Sequence, residues 1–203
     1  SIRERNLLGK GQSLSASFQI SGATQEFDIS FTEPYFLERQ LSAGIDLFHV
    51  SEDNLEDSSF KSKRAGLALR VGYEINELLS QGVRYSFRRE AVEDVKDEAS
   101  QFIKSQTGTF YTSLVGQTLI HDARNNRADP TEGYFVSLSN DLAGLGGTEH
   151  YLRSTIDGGY YYSFTDDIIA GFTGEFRYIF GIGDEVRIND RYFLGGADLR
   201  GFE

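Results

Sequence analysis

The sequence of 203 residues contains no cysteine, only 2 prolines and only 3 histidines. The absence of cysteine excludes disulfides and cysteine-ligated metals. Because proline is scarce while glycine numbers 22, the composition is typical of a fold with many turns and little disorder. His49, His121 and His150 are isolated, with no nucleophile motif or metal-ligand spacing around them. We interpret His121 beside Asp122 as a strand-end residue rather than a catalytic dyad, and we predict no catalytic residue, metal or cofactor.

The chain also lacks long hydrophobic runs and a surplus of positive charge. No stretch approaches the roughly 18 consecutive apolar residues of a membrane helix, which excludes helical spans. A net charge of −11 argues against a nucleic-acid partner, because neutralising phosphates requires clustered Lys and Arg. The acidic runs at 52–57 and 93–98 lack the spacing of a calcium loop, and we interpret them as solvated loops. Membrane passage by strands stays possible, since a closed barrel needs apolar residues only at alternate positions.

Apolar and polar residues alternate along most of the chain, which predicts β-strands. In the clearest stretch the apolar positions are Leu67, Leu69, Val71 and Tyr73. Arg70 lies between them and Glu74 directly follows Tyr73, and both are expected on the opposite face. Similar stretches lie at 14–20, 27–32, 41–47, 83–88, 134–142 and 170–180, with less regular ones at 106–121 and 150–164. The pattern predicts about nine strands, many near the roughly 9 to 11 residues that cross a bilayer at barrel tilt.

Two architectures share this alternation. A soluble β-sandwich buries one face of each sheet and exposes the other, so a sandwich that serves as a binding module has the same pattern. The long strands, the aromatic residues near strand ends and a polar face that mixes Arg, Glu, Asp, Ser and Gly favour an antiparallel up-and-down transmembrane β-barrel.

Connection lengths also favour the barrel, in which short turns and long loops occupy opposite rims. We predict one rim with turns at 9–12, 33–40, 76–79, 122–133 and 165–167. The opposite rim is predicted to hold polar loops at 51–63 and 91–105. The short 21–24 turn and the long 122–133 connection depart from the length rule.

Three sets of residues resemble the motifs of one family, the BamA–TamA–FhaC superfamily of bacterial surface antigens. A late segment resembles the family's Gly-Gly and (Val/Leu)-Arg-Gly-(Phe/Tyr) loop signature at Gly195, Gly196, Leu199, Arg200, Gly201 and Phe202. A second set resembles its Asp-x-Arg and Pro-Thr-x-Gly periplasmic turn at Asp122, Arg124, Pro130, Thr131 and Gly133. Segments 6–11 and 32–36 resemble two turns near the start of the barrel. Because all of these occur in order, the resemblance spans the whole chain.

The resemblance implies that residues 1–203 are a fragment of a C-terminal barrel domain of sixteen strands. The fragment would begin near the end of the second strand, end in the sixth extracellular loop and lack the periplasmic POTRA repeats. In that loop, which folds back into the lumen, the planar fork of Arg200 suits a bidentate carboxylate contact. The loop-lock residues would therefore anchor the loop, without a chemical role.

The function implied is non-enzymatic folding and insertion of β-barrel proteins into the bacterial outer membrane. A substrate strand would pair with an exposed barrel edge. The expected partners are outer-membrane lipid and lipopolysaccharide, unfolded β-barrel substrates and, through the absent periplasmic repeats, accessory assembly lipoproteins. A two-partner secretion pore and a TamA-type translocation factor are alternatives within the superfamily, and the soluble β-sandwich binding module is the alternative outside it.

Overall fold

The computed structural model describes residues 1–54, 60–97, 101, 104, 107–165, 167–183 and 186. These residues form ten strands and one short 3-10 turn, Phe36–Glu38. The strands are β1 (Ile2–Leu7), β2 (Gln12–Ile20), β3 (Thr24–Glu33), β4 (Leu41–Asn54), β5 (Phe60–Glu74), β6 (Leu79–Glu93), β7 (Gly108–Asp122), β8 (Gly133–Ala143), β9 (Tyr151–Thr165) and β10 (Ile168–Gly181). Among the residues described, no helix has the length and apolar character needed to cross a membrane.

Each strand pairs antiparallel with its neighbours in sequence, which gives a single sheet in the order β1 to β10. This up-and-down meander confirms the predicted all-β antiparallel fold. Within the described ranges β1 and β10 do not pair with each other, so the sheet is open. All ten strands belong to one sheet, and the sandwich interpretation, which requires a second sheet packed on the first, is wrong.

The sheet has ten strands, whereas the sequence predicted about nine. The additional strand is β1, in which residues 3–6 are all polar and show no alternation. It forms because the edge of β2 pairs with it, Ile2 lying opposite Ala16 and Leu7 opposite Gln12. Backbone pairing of this kind does not depend on the polarity of the side chains, so the sequence pattern could not reveal it.

The register from β2 to β10 shifts only once, between Ile168 and Ile169. Successive residues of a strand point to opposite faces, so a regular register collects whole rows of side chains on one face. One row, which crosses six strands from β4 to β9, consists of Gly44, Arg70, Arg84, Gly116, Asp141 and Arg153. We call the face that carries this row the polar face.

The opposite face, here called the apolar face, carries Ile45, Leu67, Leu69, Val71, Val83, Val115 and Val136. Leu69 is 47% exposed and Val71 39%, although large apolar residues usually avoid water. Arg70 and Glu74 lie on the polar face, so the predicted division of this stretch between two faces is confirmed. A continuous exposed apolar face is what the lipid-facing wall of a barrel requires.

The meander places successive connections on two opposite rims, as predicted. We call the rim with the connections after β1, β3, β5, β7 and β9 the turn rim. The other, with the connections after β2, β4, β6 and β8, is the loop rim. The predicted loop boundaries at 51–63 are wrong, because β4 continues to Asn54 and β5 begins at Phe60. Those at 91–105 are also wrong, because β6 continues to Glu93 and β7 begins only at Gly108.

Charged residues extend the strands toward the loop rim. Lys61 Nζ lies 3.4 Å from Asp53 Oδ2, and Lys63 Nζ lies 2.7 Å from Glu93 Oε2 on the neighbouring strand. Opposite charges on facing strands stabilise the pairing without any apolar contact. The acidic run at 52–57 therefore begins within β4, which corrects its interpretation as a solvated loop for residues 52–54. In the run at 93–98 only Glu93 belongs to a strand, and residues 94–97 lie in the connection after β6.

We expect Leu69→Arg to impair membrane insertion of the full-length protein, since an arginine on a lipid-facing wall costs about 2 to 4 kcal/mol near the bilayer midplane. The matched control is Ala68→Arg, which places the same side chain one residue away on the polar face, directly opposite Asp46. Insertion into lipid vesicles is measured by heat-modifiable gel mobility. Equal impairment by both variants would contradict the facing described here.

Candidate functional site

The motif Asp122, Arg124, Pro130, Thr131 and Gly133 runs from the last residue of β7, through the connection, to the first residue of β8. Arg124 Nε donates to Asp122 Oδ1 at 2.9 Å and Arg124 Nη2 to Asp122 Oδ2 at 2.8 Å. The backbone N–H of Arg124 also donates to Asp122 Oδ1, at 3.2 Å. Both side chains are largely buried, with 6% of Asp122 and 17% of Arg124 exposed. A bidentate pair that is shielded from water fixes the direction in which the chain leaves β7.

Asp122 is the last residue of β7 and lies on the turn rim. The hydrogen bonds from the Arg124 side chain lower the pKa of Asp122 to about 2, with a further contribution from the positive charge of Arg127. Arg127 Nε lies 3.2 Å from Asp122 Oδ2. The carboxylate therefore stays charged under all but strongly acidic conditions, and the pair persists with it.

Asn125 holds the two arms of the turn together. Its Nδ2 donates to Thr131 Oγ1 at 2.6 Å, and its Oδ1 accepts from the N–H groups of Thr131 at 3.1 Å and Glu132 at 3.2 Å. The backbone adds a hydrogen bond from Asn125 N to the Glu132 carbonyl at 3.1 Å. Sequence reasoning missed Asn125, although asparagine in a turn is a known signal of side-chain bonding to nearby backbone.

Gly133, the first residue of β8, has a conformation and a surrounding that only glycine fits. Its φ is +98°, and a Cβ there would lie 2.2 Å from the Ala123 carbonyl oxygen. Pro130 occupies the returning arm, where its ring restricts the backbone. Beside this arm the Arg124 guanidinium lies 4.5 Å from the centre of the Phe135 ring, a cation–π contact. The shape of this long connection thus depends on four of the five motif residues, namely Asp122, Arg124, Thr131 and Gly133.

The polar face carries a second group of functional candidates, made of ion pairs in the row described above. Arg70 Nη2 donates to Asp46 Oδ1 at 2.8 Å and to the hydroxyls of Ser30 and Thr32 at 3.3 Å each. Arg70 thus lies away from the apolar residues, as predicted, and these contacts identify its partners. The contacts join three strands, β3, β4 and β5, across the polar face.

Asp141 binds two arginines from opposite sides. Arg84 Nη2 donates to both oxygens of Asp141 at 2.7 Å, and Arg153 Nη2 donates to Asp141 Oδ2 at 2.7 Å. Asp141 is 8% exposed, so its charge depends on these partners. Sequence reasoning missed all three residues, because Arg84 and Asp141 are 57 positions apart and only the register brings them to one row.

Two glycines in this row leave space for the arginine side chains. Arg70 and Arg84 lie directly opposite each other, an arrangement that places like charges together. Their side chains turn in opposite directions, Arg70 across Gly44 toward Asp46 and Arg84 across Gly116 toward Asp141. A Cβ on Gly116 would lie 2.3 Å from Asp141 Oδ1 and 2.8 Å from Arg84 Nε. The ion pair thus lies flat on a backbone that has no side chain.

The histidines are distributed without a common site. His121 stacks on Tyr134 with ring centres 5.4 Å apart, while Asp122 follows it in the same strand and points to the other face. The strand geometry therefore separates the two residues that sequence proximity could have suggested as a dyad. In the described part of the chain, no group of three or more His, Cys, Asp or Glu residues could hold a metal ion.

The loop-lock residues Gly195, Gly196, Leu199, Arg200, Gly201 and Phe202 lie outside the described residues. The chain just after β10 is described at Val186, which packs on the polar face against Leu114, Ala143 and Tyr151. Ile179 of β10 packs against the same three residues. Val186 therefore lies over the polar face.

We expect Asp122→Asn to lower the stability of the full-length protein by about 2 kcal/mol at neutral pH, because Arg124 loses a charged acceptor. A folded-state pKa below the ordinary value contributes stability above about pH 4 that is lost as the pH falls through about 2. The difference in melting temperature between parent and variant should therefore shrink from pH 4 to pH 2. Asp129→Asn, in the same turn, is the control, and a difference that does not depend on pH would contradict the ion pair.

We expect Gly116→Ala to destabilise the full-length protein by about 2 kcal/mol, because the added methyl group displaces the Arg84–Asp141 pair. Gly174→Ala is the matched control, since a Cβ at that strand position meets no atom within 4 Å. Urea unfolding in detergent measures both variants. In the Arg84→Ala background the cost of Gly116→Ala should be smaller, and an unchanged cost would show that the ion pair is not what the methyl group disturbs.

Comparison with known proteins supports the same architecture. The BamA outer membrane protein assembly factor of Nitratidesulfovibrio vulgaris is 26% identical over 205 residues, which cover 99% of this chain and 26% of that protein. The SAM50-like protein CG7639 of Drosophila melanogaster is 25% identical over 214 residues, covering 98% of this chain and 47% of that protein. The chain thus spans less than half the length of either relative.

A solved structure shows the fold directly. The crystal structure of BamA from Haemophilus ducreyi lacking POTRA domains 1–3 matches with a TM-score of 0.77 at 20% identity, over 96% of this chain and 40% of that one. The family model of the Omp85 superfamily domain matches residues 6–203, which is nearly the whole sequence. The resemblance carried by the turn and loop motifs is confirmed, and the chain belongs to the Omp85 superfamily.

Proposed function

We propose that this chain forms part of the transmembrane barrel of an outer-membrane assembly factor, which folds and inserts β-barrel proteins without enzymatic chemistry. The observation that carries the proposal is the ten-strand meander with an exposed apolar face. Relatives that match nearly the whole chain are named for outer membrane protein assembly or belong to the SAM50 type. The chain accordingly lies in the bacterial outer membrane, with the turn rim in the periplasm and the loop rim outside.

Residues 1–203 would form the second to eleventh strands of a sixteen-strand barrel domain. This assignment makes β1 the end of the second strand and the segment after β10 the sixth extracellular loop. Two observations support it: the sheet is open at both edges within the described residues, and Val186 lies over the polar face. The remaining strands and the periplasmic repeats would belong to the rest of the protein.

In this proposal the described strands act as a fixed wall. The ion pairs at Asp46 and Asp141 tie neighbouring strands on the side that faces the lumen. Insertion itself takes place at the seam where the first and last strands of the barrel meet. An incoming strand pairs with that edge through backbone hydrogen bonds, and burial of its apolar face in lipid drives the step. A wall that does not deform would confine opening to the seam.

The partners proposed are unfolded β-barrel proteins as substrates, outer-membrane lipid and lipopolysaccharide around the apolar face, and accessory lipoproteins that bind the periplasmic repeats. The loop-lock residues would anchor the sixth loop, with Arg200 holding a carboxylate of the later strands. Lysine cannot reproduce the two parallel hydrogen bonds of a guanidinium.

The test uses vesicles that contain the full-length protein and an unfolded outer-membrane barrel as substrate, without nucleotide. We expect substrate folding, followed by heat-modifiable mobility, to be faster than in empty vesicles. Arg200→Lys should lose almost as much of this activity as Arg200→Ala, because removing one partner of a poorly solvated pair costs roughly 3 to 5 kcal/mol. Arg39→Ala, an exposed position on the turn rim, is the control.

Absence of acceleration, together with passage of an extended polypeptide across the vesicle membrane, would contradict the assembly role and favour the secretion pore. Activity of Arg200→Lys equal to that of the parent would contradict the anchoring role alone. The two measurements therefore separate the function of the barrel from the function of the loop.

A further inference from the structure

The apolar face changes character toward the loop rim. On β5, the residues that follow Leu67 on this face are Ala65, Lys63 and Lys61, in that order. On β6, the residues that follow Phe87 on this face are Arg89, Ala91 and Glu93, in that order. Basic side chains thus stand directly beyond the apolar positions, on the side of the wall that faces lipid.

Arg89 and Lys63 occupy adjacent rows of neighbouring strands. Arg89 lies opposite Ala65 and Tyr111, and Lys63 lies opposite Ala91. Within the described residues, Arg89 makes one hydrogen bond and no ion pair; the bond is a long one, from Nη2 to Thr109 Oγ1 at 3.4 Å. A guanidinium at the edge of a lipid-facing wall, with a single neutral acceptor, has most of its donors available to an anion.

The charges on this face are arranged in layers. The carboxylates Asp53 and Glu93 lie one row further out than Lys63, and Lys61 lies between them, 3.4 Å from Asp53 Oδ2. Lys63 reaches outward to Glu93 at 2.7 Å, whereas Arg89, one row closer to the apolar residues, has no carboxylate partner in the described ranges. Moving outward, the wall presents apolar, then basic, then mixed acidic and basic positions.

This order matches the order of groups in a lipid leaflet. Acyl chains meet the apolar residues, and the phosphate groups of the lipid lie directly above the acyl chains, at the level of the basic positions. Arginine and lysine at membrane interfaces are well suited to such phosphates, because the charge-assisted bonds form where water is depleted. Each basic residue near an anionic surface contributes about 1 kcal/mol, and the contribution falls with salt.

We propose that Arg89 and Lys63 form a binding site for the phosphate group of a phosphorylated glycolipid in the outer leaflet, with the Thr109 hydroxyl as a further donor. The site would hold one lipid against the wall formed by β5, β6 and β7. This inference rests on the membrane placement proposed above and adds a defined ligand position to it.

The sequence offers unusually close controls. Arg88 and Arg64 are the immediate neighbours of Arg89 and Lys63, and they point to the polar face. Arg64 Nη2 lies 3.2 Å from Glu52 Oε1, and Arg88 Nε lies 3.5 Å from Glu90 Oε1. Substituting a neighbour therefore removes the same charge from the same strand, on the side away from lipid.

The experiment places the full-length protein in phosphatidylcholine vesicles that contain a small fraction of either diphosphorylated or chemically dephosphorylated lipid A. Lipid retained by the protein after detergent extraction is quantified by mass spectrometry. We expect preferential retention of the diphosphorylated form, and a loss of about fivefold in its affinity for Arg89→Gln and for Lys63→Gln. Arg88→Gln and Arg64→Gln should bind as the parent does, and Arg89→Lys should keep most of the affinity.

Equal retention of the two lipid A forms, or equal losses for Arg88→Gln and Arg89→Gln, would overturn the site. Displacement of the lipid by inorganic phosphate at the same phosphate concentration would show that the residues bind a free anion, which would also overturn it. Heat-modifiable mobility reports insertion separately. A parent protein that inserts but shows no preference refutes only the lipid site, whereas one that does not insert refutes the membrane placement itself.

Discussion

The structure depends on one constraint, the pairing register from β2 to β10, which shifts only once, between Ile168 and Ile169. A slip of one residue in any strand would move all of its side chains to the opposite face. Apolar residues would then face the lumen, and Arg70, Arg84 or Asp141 would face lipid, where each arginine costs about 2 to 4 kcal/mol near the bilayer midplane and an aspartate costs less. The register creates the two faces, and the energetic cost of exchanging the faces in turn stabilises the register.

Ion pairs and glycines on the polar face make this register specific. The Asp141 carboxylate reaches Arg84 only because Gly116 leaves the intervening surface empty, and the same relation holds for Asp46, Arg70 and Gly44. The Arg84–Asp141 pair requires β6, β7 and β8 to be aligned, and the contacts of Arg70 with Asp46, Ser30 and Thr32 require the same of β3, β4 and β5. The cross-strand arginines Arg70 and Arg84 would repel each other if either acid were lost. A wall held in this way supports the proposed mechanism, in which movement is confined to the seam.

The residues on the two rims differ in chemistry from those in the middle of the strands. On the turn rim, the connection from 123 to 132 is long, yet Asp122, Arg124, Asn125 and Gly133 hold it as firmly as a short turn. On the loop rim, strands extend through paired charges, and the apolar face gives way to Lys63 and Arg89. The same strands thus carry lipid-facing, lumen-facing and interfacial chemistry, separated only by position along and across the sheet.

The sequence predicts the strand pattern, the antiparallel meander, the two faces and the family, because alternation and turn motifs are local and can be recognised before any contact between strands is known. It identified Asp122, Arg124, Thr131 and Gly133 by their order in the chain. Tertiary structure alone decided what those side chains bind, and it revealed β1, Asn125 and the arginine pairs on Asp141. Those features arise from contacts between strands: a carboxylate finds its guanidinium 57 residues away only after the register is formed, and residue order alone does not encode which strands align.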